Sequence, residues 1–348
     1  MNNNDYNSSP SLPHRAEKAR RQRQVLLVMC GIAALIVIVL VAMIIGAVAD
    51  SSGSGGSKGE TISQNKIKWD EDTVDDDDTL KGSLVLIDGD HEYMFPRQPL
   101  ASISEFIEDE YDGEAPYKIS GSSDLMAKEA LEALDKLLSA FAEENDGKVL
   151  LVHWAYRSEA QQEAIYNGGS TSTAPGYSDH HSGYGCSIYR EDRDELKTSD
   201  YRWLVEHAAE YGFIVRYPED KEDITGEEDY AEYFRYVGVA HATYMYENEL
   251  CLEEYLEFLA DEVSADRPLT VNGADGGKYD IYYYPVDGET DIQVPVNCEY
   301  EISGTNDGGV VVTVIRTTIE NVDDDEYADE DEDTDEDEEE ETTKRSTR

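Results

Sequence analysis

Residues 25–48 read VLLVMCGIAALIVIVLVAMIIGAV, 24 positions without a charge. As a helix this run rises about 36 Å, enough to cross a hydrocarbon core of about 30 Å. Its flanks differ in sign. Arg15, Lys18, Arg20, Arg21 and Arg23 precede it, and Asp50, Ser51 and a Gly/Ser run follow. The positive-inside rule then puts the N-terminus in the cytoplasm and everything after Asp50 outside. A cleaved signal peptide is the alternative, because Ala47-Val48-Ala49 fits a small-residue cleavage site. Its apolar region is usually only about 7–15 residues, so an uncleaved single-pass anchor in the cell membrane is the reading preferred.

The charge balance narrows the partners. The chain has 28 Lys and Arg against 78 Asp and Glu, a net charge of −50. Nucleic acid is excluded, because binding it needs a basic face that releases counterions. Apolar residues and 24 tyrosines supply a packed core, so disorder is confined to parts of the chain. Cys30 sits in the apolar run; Cys186, Cys251 and Cys298 lie beyond it. Three outer thiols allow at most one pair, and small buried cysteines are the plainer reading.

Composition divides the chain. A basic cytoplasmic segment covers 1–24, the membrane helix 25–48, and a Gly/Ser and acidic linker 49–80. A folded domain is expected over 81–265, a small β-rich appendage over 266–319, and an acidic disordered tail over 320–348. In that tail 17 of the 22 residues from 320 to 341 are acidic, so it self-repels and stays extended. Within the folded part, Leu84-Val85-Leu86-Ile87 before Asp88-Gly89 predicts a strand and turn. Apolar residues three and four apart predict a helix over 122–144, with Ala127, Ala130, Leu131, Leu134, Leu137, Leu138 and Phe141 on one face. Val149 to Val152 predicts a buried strand. Ser158-Glu159-Ala160-Gln161 is a capping-box pattern opening a helix to about Asn167. Further helices are expected over about 199–211, stopped by Gly212, and over about 252–262.

One stretch carries chemistry: Pro175-Gly176-Tyr177-Ser178-Asp179-His180-His181-Ser182-Gly183-Tyr184-Gly185-Cys186-Ser187. Tyr156-Arg157-Ser158 precedes it. Gly212-Phe213-Ile214-Val215-Arg216-Tyr217-Pro218 and then Arg235-Tyr236-Val237-Gly238 follow. In these motifs, over roughly 82–262, the chain resembles VanY-type D-alanyl-D-alanine carboxypeptidases, zinc enzymes of the LAS group that trim peptidoglycan stem peptides. The resemblance implies an α+β fold, a small antiparallel sheet with surrounding helices, with the β appendage at its C-terminal side. It implies zinc as the family's cofactor and a stem peptide ending in D-Ala-D-Ala as the partner. It also implies that Arg157, Gln162 and Ser178 contact substrate. Arg157 anchors a carboxylate or the developing oxyanion there, although a structural ion pair is an equally good reading of it.

The same motifs depart from the family at the zinc. The first motif implies a ligand at His180, which is present, and a carboxylate ligand seven residues on, where Ser187 stands. The second implies a histidine ligand where Tyr233 stands and a general base where Tyr230 stands. A catalytic zinc needs about three protein ligands and an open position for water, with a nearby carboxylate to take the proton. A serine hydroxyl is a poor substitute, and a tyrosine ligates only as phenolate, with an ordinary pKa of about 10. The expectation is a chain that keeps the fold and groove without bound zinc, a pseudoenzyme. An active enzyme with a metal site rebuilt from His181, His153, Asp179, Glu228, Asp229 or Glu232 is one alternative. A structural surface spacer is the other. Adjacent His180 and His181 on an extended segment would point apart, which argues against rebuilding. Plain core or surface roles are expected of His153 and His241, and structural ones of Arg216 and Arg235.

Overall fold

The computed structural model describes residues 66–93, 96, 98–120 and 124–318. The expected membrane helix, the basic segment before it and the acidic tail lie outside the described residues. Among the described residues, no helix is long and apolar enough to cross a membrane.

The strands are β1 (Trp69–Val74), β2 (Leu100–Ser102), β3 (Tyr117–Ile119), β4 (Leu125–Ala127), β5 (Leu150–His153), β6 (Gly185–Arg190), β7 (Phe213–Tyr217) and β8 (Tyr230–Tyr236), then β9 (Leu269–Asn272), β10 (Lys278–Pro285), β11 (Thr290–Pro295), β12 (Tyr300–Gly304) and β13 (Gly309–Ile315). The helices are α1 (Ile103–Tyr111), α2 (Lys128–Glu144), α3 (Glu159–Asn167), α4 (Thr198–His207), the single turn α5 (Glu222–Thr225), α6 (Val239–Asn248) and α7 (Leu252–Glu262).

The central sheet has the order β3-β5-β6-β8-β7. It is mixed, which corrects the antiparallel expectation: β3 and β5 run parallel, and the other three pairs are antiparallel. The helix expected over 122–144 forms only from Lys128, as α2, because Leu125–Ala127 pairs as β4 with β2; from Ala130 on, the predicted stripe is buried against Leu150, Val152, Cys186, Ile188 and Phe234 of the sheet. Burial of each such side chain stabilises by about 1.5–3 kcal/mol. The capping box at Ser158 is present, with Gln161 N–H donating to the serine oxygen and the Gln161 side chain accepting from Ser158 N–H. Helices α1 and α6 were not legible as periodic patterns.

The appendage is knitted into the domain. In β10 the side chains alternate, as a strand requires. Tyr279, Ile281 and Tyr283 pack with Val237, Leu252, Tyr255, Leu256 and Leu259, while Tyr282 and Tyr284 pack with Ile292, Val294 and Val74. Val74 belongs to β1, which pairs antiparallel with β11 over Trp69 to Val74. The expected linker over 49–80 therefore ends earlier: its acidic stretch holds an apolar anchor at each end, Trp69 and Val74, and these enter the core of the appendage.

Leu84 to Ile87 is buried but is not a strand. Its backbone groups are spent elsewhere. Leu84 N–H donates to the Ser303 hydroxyl at 2.8 Å and Leu86 N–H to the Thr305 carbonyl at 2.9 Å. The Ser83 and Val85 carbonyls accept from Arg235 Nη2 at 2.9 and 3.1 Å. No ladder remains to be made.

Candidate functional site

Between α3, the Ser178 turn and the β7–β8 pair lies a cleft of about 320 Å³. Its lining includes Trp154, Arg157, Gln162, Ser178, His180, Tyr217, Glu227, Tyr230 and Tyr233. The three residues expected to contact substrate are thus brought together with His180 and both tyrosines. Ser187 lies behind them, fully buried on β6 and paired with Tyr233 across the ladder.

The segment carrying His180 is a 3-10 turn, Asp179–Ser182, and not an extended stretch. It is closed by Gly183 at φ 75°, a conformation that glycine adopts at no steric cost. The turn separates the two histidines. His181 is consumed by structure: its Nδ1 donates to the Arg157 carbonyl at 2.7 Å and its Nε2 accepts from Gly176 N–H at 3.1 Å. His180 donates from Nδ1 to the Ala155 carbonyl at 2.9 Å, which leaves Nε2 as an acceptor with no protein partner among the described residues. It is only 9% exposed. Burial, aided by the positive Arg157, pushes its pKa down to about 3, so the ring is neutral at ordinary pH.

Asp179, its neighbour, also borders the cleft, but its carboxylate is committed to a buried ion network. Its carboxylate pairs with Arg235 and lies 3.4 Å from Arg216 Nε. Arg216 is held in turn by Glu253 through two bonds of 3.0 and 2.7 Å. Burial alone would raise the Asp179 pKa, but the two guanidiniums bring it below the usual carboxylate range. Arg216 and Arg235 are fully buried, so both are structural.

Tyr233 is tied to this network. Its hydroxyl donates to Asp179 Oδ2 at 2.9 Å. A Cβ on Gly185 would stand 2.2 Å from that oxygen, so glycine at 185 is what lets the phenol reach Asp179. Burial and then the Asp179 charge raise the Tyr233 pKa well above its ordinary value. Tyr230 joins a hydroxyl chain, 2.9 Å from Ser187 Oγ and 2.7 Å from the Tyr189 hydroxyl. Tyr217, Tyr233 and Tyr230 form a row, with centroids 5.8 and 5.9 Å apart and planes within 18°. Residues 230 and 233 would normally face opposite sides of a strand. A bulge reconciles them: Tyr230 and Phe234, four apart, oppose Tyr217 and Val215, two apart.

Arg157 differs from the other two arginines. Its Nη1 donates to Gln162 Oε1 at 2.8 Å, and the Gln162 amide donates to the Thr173 carbonyl at 2.7 Å. Among the described residues it has no carboxylate partner, and burial lowers its pKa. Ser178 precedes the turn and accepts His181 N–H at its carbonyl, at 2.9 Å.

Zinc does not fit these side chains. The positions the resemblance implies as ligands offer one imidazole nitrogen, a serine hydroxyl and a phenol that burial holds protonated; the general-base position offers another phenol. Neighbours do not make up the set. His181 has both ring nitrogens bonded and Asp179 is committed to two arginines. His153 bonds Ser120 and stands outside the cleft lining. Among the described residues, no group of three His, Cys, Asp or Glu side chains is arranged to hold a metal. His241, bonded to Tyr255 at 2.7 Å and Thr313 at 2.9 Å, is a satisfied core histidine. Sequence reasoning missed Trp154 and Glu227 as lining residues. Tyr217 stood inside a quoted motif, but without the bulge nothing placed it here.

Comparison with known proteins finds relatives that span these residues. The family model described as VanY, D-alanyl-D-alanine carboxypeptidase, matches residues 123–239. A D-alanyl-D-alanine carboxypeptidase of Enterococcus faecium is 32% identical over 248 residues, 70% of this chain and 78% of that protein. Another, from Enterococcus faecalis, is 44% identical over 82 residues, 24% of this chain and 31% of that protein. The crystal structure of the vancomycin-resistance D,D-dipeptidase VanXYg, in complex with a D-Ala-D-Ala phosphinate analog, superposes with a TM-score of 0.61 at 25% identity. It covers 71% of this chain and 99% of that one.

Proposed function

The chain belongs to the VanY family of D-alanyl-D-alanine carboxypeptidases, and from that premise we propose that it binds peptidoglycan stem peptides at the cell surface without cleaving them. The relatives' printed activity supplies the ligand class, peptides ending in D-Ala-D-Ala. The apolar run at 25–48 and its basic flank support a single-pass anchor with the cleft outside the cell.

One observation carries the loss of cleavage. The hydroxyls of Ser187, Tyr230 and Tyr233 stand at two ligand positions and the base position, and all three are engaged in hydrogen bonds within the protein. A zinc site needs open lone pairs of carboxylate or imidazole there. What persists is a receptor. Arg157 is a half-buried guanidinium with no counter-ion among the described residues, and guanidinium matches a carboxylate through paired hydrogen bonds. His180 adds a neutral acceptor beside it, suited to a peptide N–H. A mere spacer has no use for either group, so a ligand is the reading favoured.

The test is a pair of assays on the full-length chain with a stem pentapeptide. Saturable binding that Arg157→Ala weakens by about tenfold or more, with no free D-Ala released in the presence of zinc, is expected. Release of D-Ala that a chelator stops and zinc restores would overturn the loss of cleavage. Absence of binding would overturn the receptor.

A further inference from the structure

Trp154 carries a signal that the cleft's chemistry does not yet use. Seven non-glycine residues among those described have positive φ, and Trp154, at 49°, is the only aromatic among them. A bulky side chain rarely occupies this left-handed region, and such strain persists where the surroundings impose it. The strain has a visible consequence. The bend follows directly on β5 and turns the indole into the cleft lining. There the Arg157 guanidinium lies over the ring, 5.2 Å from its centroid. On the ring's other neighbour, His153 packs edge-on at 4.3 Å.

Arg157 is therefore held twice and neutralised nowhere. Its face rests on the indole, and one nitrogen is fixed by the Gln162 amide, itself oriented by the Thr173 carbonyl. A guanidinium has five N–H donors in a fixed plane. With one donor engaged and the face covered, the remaining edge is left for a planar anion.

We infer that Trp154 is a positioning residue: its indole fixes the plane of Arg157, so that the cleft selects ligands ending in a free carboxylate over the same ligands ending in an amide. The inference rests on the proposed reading of Arg157 as a peptide receptor and adds to it the residue that sets the selectivity. A purely structural tryptophan predicts something different, because its loss would weaken acid and amide ligands alike.

Calorimetric titration of the full-length chain tests this, with a stem pentapeptide ending in D-Ala-D-Ala as the free acid and as its C-terminal carboxamide. For the unmodified chain the acid binds more tightly. In Trp154→Ala the acid affinity falls about tenfold, the scale of a desolvated cation–π contact, while the amide affinity is unchanged. Trp154→Leu, which keeps apolar bulk but has no π face, loses the acid preference as well; Trp154→Phe keeps most of it. Equal weakening of both peptides in Trp154→Leu, or an acid preference that survives it while Arg157→Ala abolishes it, overturns the role of Trp154 and leaves the receptor standing. An acid preference that survives Arg157→Ala overturns the receptor and this inference together.

Discussion

Arg235 and Arg157 approach the same short turn from its two sides, and they meet opposite surroundings. Arg235, with Arg216, reaches the Asp179 carboxylate, and the partly buried Glu253 completes the network, so its four charges sum to zero. Arg157 meets an amide and an indole, and among the described residues no anion. A buried cation that is paired is part of the fold. A half-buried cation left unpaired gains when a ligand supplies the charge. The difference divides the motif between Asp179 and His180, adjacent in sequence. The first holds the turn together, and the second faces the cleft.

This comparison is easiest to break at its paired side. Asp179→Asn leaves two fully buried guanidiniums without their shared carboxylate. It is expected to cost about 3–5 kcal/mol of stability, read from denaturant unfolding. A loss below about 1 kcal/mol would mean that the network is not what holds the turn. The unpaired side should behave in reverse. Arg157→Ala is expected to change stability by less than about 1 kcal/mol, yet to weaken a carboxylate ligand by about 1.5–3 kcal/mol, the worth of a charge-assisted bond. Large destabilisation without loss of binding would exchange the roles assigned to the two arginines.

The link between the sides is Tyr233, which occupies a ligand position and donates to Asp179. Gly185→Ala places a methyl group where the phenol oxygen now sits. It should cost about 1–3 kcal/mol, the usual range for overpacking. Tyr233→Phe in the same background should recover only a small part of that loss, because the oxygen 2.2 Å from the new Cβ is gone while the ring carbon Cζ at 2.6 Å remains; full recovery would mean that the oxygen alone is in conflict.

A smaller effect separates the faces by pH. His180 and His241 both have pKa values pushed down to about 3 by burial, against an ordinary 6.5. Between those values the unfolded chain binds protons that the folded chain refuses. Stability is therefore fully present above about pH 6.5 and falls as pH drops towards 3, by about 1.4 kcal/mol per unit for each histidine. Comparing the unmodified chain with His180→Ala isolates the first. The variant's slope between pH 6 and 4 should be shallower by about that amount, and parallel curves would mean that His180 already takes up a proton when folded.

Much of this was legible in the sequence where physics is local. The stripe from Ala130 to Phe141, the Ser158 capping box and the Gly212 stop depend on near neighbours, and each forms where its spacing places it. Residues His180, Tyr230 and Tyr233 line one cleft with Ser187 directly behind them, a neighbourhood that motif order alone implied. What could not be read depends on contacts distant in sequence. Leu84 to Ile87 has the composition of a strand, but its Val85 carbonyl serves Arg235 and its Leu86 carbonyl serves Asn306, both across the fold. The acidic stretch at 69–74 reads as solvated linker until β11 supplies partners 216 to 226 positions away, Trp69 against Pro295 at one end of the pairing (295 − 69 = 226) and Val74 against Thr290 at the other (290 − 74 = 216). The tyrosine row needs a bulge that no residue type announces, and the indole under Arg157 needs a left-handed backbone that tryptophan disfavours.

The central claim is that this cleft has exchanged a metal centre for a tyrosine wall while keeping a receptor for carboxylate. A calorimetric zinc titration of the full-length chain tests it most directly, with His180→Ala as the control and the triple variant Ser187→Asp, Tyr230→Glu, Tyr233→His as the reference for a restored donor set. The account predicts no saturable binding that depends on His180 in the unmodified chain, and a stoichiometric site in the triple variant. Stoichiometric zinc binding by the unmodified chain, lost in His180→Ala, would contradict it.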